Sequence, residues 1–138
     1  MVGFPGETDA DFNTLYDFIA THAPDHVGVF SYSKEDGTPA AKLKGQVPAK
    51  IKKERHEKLG KLHLANTLLR NQGYVGKTMQ VVYEGIDFNK ELFYGRTELN
   101  CPDIDTLVYF KGETAELGQT YNVRITGVDG YDLIGETD

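Results

Sequence analysis

TYNVRITGVDGYDLIGET, residues 120–137, decides how the second half of this chain folds. Tyr121, Val123 and Ile125 alternate with Asn122, Arg124 and Thr126. That is the two-residue period of a strand with one buried and one wet face. Asp129-Gly130 then supplies a hairpin turn signal, followed by a second apolar segment over 131–135. The same period runs upstream: Met79, Val81 and Tyr83 alternate with Gln80, Val82 and Glu84, and residues 92–97 and 107–110 are further short strand-like runs. Five short strands within about 60 residues predict an all-β, five-stranded antiparallel barrel of the OB-like kind.

Before Gly73 the apolar period is 3.6. Residues 2–5 read as the end of a strand entering a Gly/Pro turn. Thr8 caps a helix whose first turn carries Asp9 and Asp11, acids that suit the positive end of the helix dipole. Phe12, Leu15, Tyr16 and Ile19 make its apolar face, and Pro24 ends it. Residues 27–32 (VGVFSY) are a short apolar run of the type buried on both faces of a parallel sheet. After a loop with Asp36-Gly37 and Thr38-Pro39, Pro48 takes the first position of a long helix. Ile51, Leu59, Leu62, Ala65 and Leu69 line one face, and Gly73 is its stop. The order strand–helix–strand–helix is the α/β repeat of a parallel sheet or barrel. Two parts are therefore expected, 1–72 and 73–138.

Composition agrees with two small parts in a chain of 138 residues, which is the usual size of one domain. No apolar run approaches the roughly 20 residues that span a bilayer, nothing resembles a signal peptide, and a single cysteine fits a reducing compartment. The expected location is the cytoplasm. The net charge of −6 is unevenly spread. Residues 1–41 hold one Lys against seven acids (−6), 42–70 hold nine Lys/Arg against Glu54 and Glu57 (+7), and 74–138 hold five Lys/Arg against twelve acids (−7).

The groups that could carry chemistry are few. Cys101 has no second cysteine to share a metal with, and reads as a loop thiol beside Pro102 rather than a ligand. His22 and His26 have the spacing of a helical ligand pair, but Pro24 between them breaks such a helix; His56 and His63 fall on the basic helix and read as surface or packing residues. Gly76-Lys77-Thr78 mimics the end of a phosphate-binding loop, yet Asn71 stands where that motif needs glycine, and the segment runs from helix into strand, the reverse order. The basic helix (Lys50, Lys52, Lys53, Arg55, Lys58, Lys61) reads as a solvated face. Pairing with the acidic first block, Asp9 to Asp36, and contact with ribosomal RNA near the substrate are the other two readings.

VGFPGETDADF (residues 2–12), the GTPAA loop at 37–41, the QVP start of the basic helix at 46–48 and the β-rich last 65 residues together resemble the radical S-adenosylmethionine (SAM) methylthiotransferase family. The resemblance implies an α/β remnant of a radical SAM, TIM-like barrel over 1–72 with its linking helix, and a TRAM domain over 73–138. One branch of the family modifies an adenosine of tRNA; the other modifies an aspartate of the twelfth small-subunit ribosomal protein. VGVFSYSKEDGTPAA (27–41), GRTELNCPDIDTLVYF (95–110) and ITGVDGYDLIGE (125–136) favour the ribosomal-protein branch.

The family's cofactors are two four-iron four-sulfur clusters and SAM. The clusters are held by several cysteines, three of them in a CxxxCxxC run that this sequence lacks. Met1 stands directly before VGFPGET, where the family has most of a barrel and an N-terminal domain. The chain is accordingly expected to be a fragment, inactive alone, with no catalytic or metal residues of its own. Its partners would be the rest of the radical SAM enzyme and, as substrate, a basic small-subunit ribosomal protein. The resemblance places Gly3, Pro5, Gly6 and Tyr32 near SAM; the alternative is a tight strand–helix turn. Glu7 reads as a dipole-favoured residue at the helix start before it reads as a SAM ligand. Charge speaks to the partner without the resemblance: a −7 barrel repels a polyanion and attracts a basic protein, so RNA is disfavoured.

Overall fold

The computed structural model describes residues 1–101 and 106–137, in two compact units, Met1–Asn66 and Thr67–Asp138. In chain order the elements are α1 (Asp9–His22), a 3-10 turn (Ala40–Lys42), α2 (Ala49–Gln72), β1 (Thr78–Asp87), β2 (Leu92–Arg96), β3 (Val108–Lys111), β4 (Thr120–Asp129) and β5 (Asp132–Thr137). Among the described residues no helix is long and apolar enough to cross a membrane.

In the first unit, α1 begins where the sequence places it. The Asp11 N–H donates to Thr8 Oγ1 at 3.2 Å, while the Asp11 carboxylate accepts from the Thr8 hydroxyl at 2.7 Å and the Thr8 N–H at 2.9 Å. This reciprocal cap, led by the hydroxyl hydrogen bond, holds the Asp11 carboxyl below its ordinary value of 3.8. A depressed carboxylate contributes stability that is present above the unfolded value and lost as pH falls through the folded one. Thr8→Ala is expected to cost ~1 kcal/mol at neutral pH, the usual size of a lost cap. The gap between variant and parent in urea unfolding should narrow as pH drops below 4, leaving the share of the pH-independent Asp11 N–H to Thr8 Oγ1 bond; a gap that stays constant into acid would count against the reciprocal cap.

Val2, Phe12, Ile19 and Leu59 form the core of this unit, with Leu15, Tyr16, Val27, Val29 and Leu62 against them. The expected strands at 2–5 and 27–32 meet through one parallel bridge, Val2 to Ser31: the Val2 N–H donates to the Phe30 carbonyl at 2.7 Å, and the Tyr32 N–H to the Val2 carbonyl at 2.8 Å. The 27–32 run is not buried on both faces. Val27 and Val29 are half-buried against helix residues, while Phe30 is 70% exposed. Double burial needs a layer on each side, and the described residues pack on one.

Helix α2 starts at Ala49, one residue past Pro48, whose carbonyl accepts from Lys52 N–H at 3.1 Å, and it stops at Gly73 as expected. Its expected apolar face is corrected. Ala65 and Leu69 are exposed, and the buried positions are Arg55, Leu59, Thr67 and Asn71. The division between the units falls within this helix: Leu59 and Leu62 pack in the core of the first unit, while Thr67 and Asn71 belong to the second, where Asn71 donates to the Tyr131 carbonyl at 2.9 Å. No single stripe runs its length, which explains why an apolar count along 24 residues misleads.

The second unit is a closed barrel in the order β1-β2-β3-β5-β4. Four pairings are antiparallel, but β3 and β5 run parallel, from Val108 opposite Leu133 to Lys111 opposite Glu136. The wholly antiparallel expectation fails here for a counting reason: an odd number of strands cannot alternate direction all the way around a closed ring. Irregularities at Tyr83/Gly85 in β1 and Ile125/Gly127 in β4 add local bend and twist. Val81, Tyr83, Val108, Phe110, Val123, Ile125 and Leu133 fill the interior; Val81, Tyr83, Val123 and Ile125 are inward members of the alternation read from sequence. Asp129 and Asp132 pair across the β4–β5 turn, with Gly130 at φ 61.

Candidate functional site

The turn between the first bridge residue and α1 gathers the four residues singled out in the sequence. The Val2–Ser31 bridge sets Tyr32 beside 3–5, and the Phe4 and Tyr32 rings meet edge to face with centroids 5.3 Å apart. Gly3 and Gly6 take left-handed backbone angles, φ 76 and 89, with Pro5 between them in the turn. The glycines differ in what surrounds them. A Cβ on Gly3 would lie 2.1 Å from Lys52 Cγ, whereas one on Gly6 would meet nothing within 4 Å. The Gly6 N–H donates to the Gly45 carbonyl at 2.8 Å. Tyr32 is 8% exposed, and its buried hydroxyl has no hydrogen-bond partner, an arrangement that costs free energy unless something supplies one.

Two cations reach into this turn from α2. Lys52 Nζ donates to the Tyr32 carbonyl at 2.9 Å and lies 5.4 Å from the centre of the Tyr32 ring. Arg55, 6% exposed at its side chain, pairs with Glu7 Oε1 and with Asp9 Oδ1 at 2.7 Å, and stacks 5.5 Å over Phe12. Glu7 turns its other oxygen back to accept the Gly3 N–H at 2.9 Å. Burial by itself lowers the Arg55 pKa, but the hydrogen bonds and charges of Asp9 and Glu7 outweigh it and hold the guanidinium above its ordinary value. Glu7 thus clamps the turn to α2 rather than merely favouring the helix dipole. The sequence reading counted both cations with a solvated basic face and gave pairing with the acidic first block as an alternative; Arg55 follows that alternative through Asp9. The available signal was their spacing, since Lys52, Arg55 and Leu59 are three and seven apart on one helical face.

What remains of the basic face is partly neutralised. Lys50 and Lys53 lie 3.9 Å from Glu54 and Glu57, leaving Lys58 and Lys61 as further exposed cations. His56 Nδ1 sits 3.3 Å from Ser31 Oγ. Iron–sulfur clusters do not fit these residues: thiolates are required, the chain has one, and among the described residues no three His, Cys, Asp or Glu come together as a metal site. Cys101 is exposed, and the Pro-acid-Ile-Asp core at 102–105 lies outside the described residues.

On the barrel, three of the five cations are paired with carboxylates and a fourth lies over an aromatic ring, while Lys111 is exposed. Lys90 pairs with Asp129 at 2.6 Å, Arg96 with Glu84 at 2.5 Å and Arg124 with Glu136, while Lys77 lies over the Tyr74 ring at 5.7 Å. Lys77 belongs to no phosphate loop, since β1 begins at the next residue. Clefts of about 610 and 530 Å³ mark the barrel surface, the first lined by Tyr74, Met79, Arg96 and Leu99, the second by Ile86, Phe88, Phe93 and Phe110. Several large apolar side chains stand in solvent, above all Phe88 at 84% and Leu117 at 76%.

Comparison with known proteins fits both halves. The TRAM domain family model matches residues 75–137, the span of the barrel. The ribosomal protein uS12 methylthiotransferase RimO of Pelobacter propionicus is 44% identical over 137 residues, which is 99% of this chain and 30% of the relative. Its namesakes from Acetivibrio thermocellus and Geobacter sulfurreducens are 40% and 43% identical over the same share of this chain. The chain spans about 30% of the length of the curated relatives it matches. The resemblance read from the sequence therefore extends across both units, and residues 75–137 form a TRAM domain.

Proposed function

We propose that this chain is part of a ribosomal protein uS12 methylthiotransferase, and that within it the TRAM barrel recognises the protein substrate. The observation that carries the proposal is similarity at 40–44% identity along 99% of the chain to proteins of that name. In this reading the first unit is the closing part of the radical SAM barrel, with the parallel Val2–Ser31 bridge as a remnant of its sheet. The reaction would add a methylthio group to an aspartate β-carbon in the cytoplasm. The cluster cysteines would come from the rest of the enzyme.

SAM, when bound, would supply the hydrogen-abstracting and methyl-donating chemistry. Gly6, whose open side meets no atom, and Tyr32, with its unpartnered hydroxyl, are the residues here that fit against such a ligand. Gly3 and Pro5 would act indirectly, by holding the turn. Gly3 admits the Lys52 stem, and Glu7 fixes the Gly3 amide while Arg55 fixes Glu7.

Recognition of a protein rather than RNA is supported by the −7 charge from residue 74 onward and by the internal pairing of Lys90, Arg96 and Arg124. Phosphate binding depends on Lys and Arg that can neutralise it, and those three are already engaged with carboxylates. The full chain is expected to bind purified uS12 at low ionic strength, with affinity falling as salt rises, and to bind tRNA more weakly under the same conditions. Titration by fluorescence anisotropy reads both. Absence of uS12 binding at low salt, or tighter binding of tRNA, would overturn the reading.

A further inference from the structure

The β1–β2 connection carries an aromatic side chain that the fold does not use. Phe88 is 84% exposed, the most exposed of the chain's large apolar residues described here. Its turn is firmly built. Asp87 Oδ1 accepts the N–H groups of Asn89 at 2.9 Å and Lys90 at 3.1 Å. Lys90 is tied to Asp129 at 2.6 Å and lies over the Tyr109 ring at 4.7 Å. Glu91 closes the turn at φ 54, a left-handed conformation uncommon for a residue other than glycine. The turn therefore presents Phe88 rather than letting it fold back.

Beside Phe88 lies the cleft of about 530 Å³, whose walls include Ile86, Leu92, Phe93 and Phe110, with Glu91 and Lys111 as its charged members. Apolar clefts with a projecting aromatic rim are where binding energy concentrates in interfaces. Charge narrows the occupant. Asp87 precedes Phe88 and Glu91 follows three residues later, on a barrel of net −7; of the cations nearby, Lys90 is held by Asp129 and Lys111 is the one that lines the cleft. An exposed aromatic can also stack on a nucleobase, but these carboxylates would face the phosphates that accompany it.

We infer that Phe88 and its cleft form the anchor point for a basic protein segment, an apolar side chain entering the cleft while its cationic neighbours meet Asp87 and Glu91. This deepens the proposed function and rests on it. The site needs no chemistry, only an apolar contact with acidic flanks, and both are present on one turn.

Binding of purified uS12 to the full chain at low salt, compared among four proteins, tests the inference. Phe88→Ala should weaken binding by about tenfold or more, the size expected of an interface anchor, while leaving thermal unfolding unchanged because the ring packs on little. Glu91→Gln should flatten the salt dependence. Leu117→Ala, which removes another largely exposed apolar group elsewhere, should bind as the parent does. Equal affinity of parent and Phe88→Ala would overturn the anchor while leaving uS12 recognition intact. Failure of the parent to bind uS12 would overturn both. Loss of tRNA binding in Phe88→Ala, with uS12 binding unaffected, would assign the turn to RNA and overturn the inference.

Discussion

Arg55→Met is expected to lower the unfolding free energy of the first unit by ~3–5 kcal/mol, the usual cost of removing one partner from a buried ion pair. The loss follows from what is left behind. Glu7 is 13% exposed and would keep the Gly3 N–H as its hydrogen-bond donor, so its charge would be stranded in a poorly solvated place. Asp9, also bonded to Arg55, is 91% exposed and would simply rehydrate. Its share of the effect is accordingly small. The double variant Arg55→Met, Glu7→Gln removes the stranded charge and should recover a large part of the loss. Denaturant unfolding followed by hydrogen exchange at α1 amides separates this unit from the barrel. A loss below about 1 kcal/mol, the ceiling for an exposed pair, would show that Arg55 is solvated.

In the barrel the largest single effect is expected at Phe110. The residue is fully buried, and its ring is in contact with Tyr83, Phe93 and Tyr121 at centroid separations of 6.4, 5.7 and 6.3 Å. Phe110→Ala deletes the shared member of these contacts and opens a cavity in the middle of the core, at a cost of ~3–5 kcal/mol. A domain of this size has little more than that in reserve, so a large unfolded fraction is expected at 37 °C. Phe110→Leu keeps most of the volume and should be far milder. Near-ultraviolet circular dichroism reports the tyrosines of the barrel directly. Equal unfolding midpoints for the Ala and Leu variants would contradict the packing described.

The barrel was legible because each strand shows one buried face, and alternation survives any detail of pairing. Its one parallel pair was not, since strand direction depends on the closure of the ring rather than on any residue in it. The bulge near Gly85 escaped for a related reason: an extra residue shifts the alternation without changing composition. In the first half the capping box of Thr8 and Asp11 was readable, because its partners lie three residues apart. Arg55 was legible only in outline. Its spacing with Lys52 and Leu59 marks one helical face and the acidic first block offers partners, but those partners lie 46 and 48 positions away and nothing local selects them. The turn of Gly3, Pro5, Gly6 and Tyr32 was found through likeness to a family. What the sequence withheld is that Lys52 already occupies one side of it. The exposure of Phe88 was also invisible, because it is set by the turn that holds it.

The central claim is that the acidic barrel, not the basic helix, receives the partner, and that the partner is a protein. Hydrogen exchange of the full chain with saturating uS12, read peptide by peptide against the free chain, tests it most directly. The account predicts slowed exchange in the β1–β2 connection around Phe88 and the neighbouring end of β3, with α2 from Lys50 to Lys61 unchanged. Protection confined to that helix, or protection that appears with tRNA and not with uS12, would contradict it.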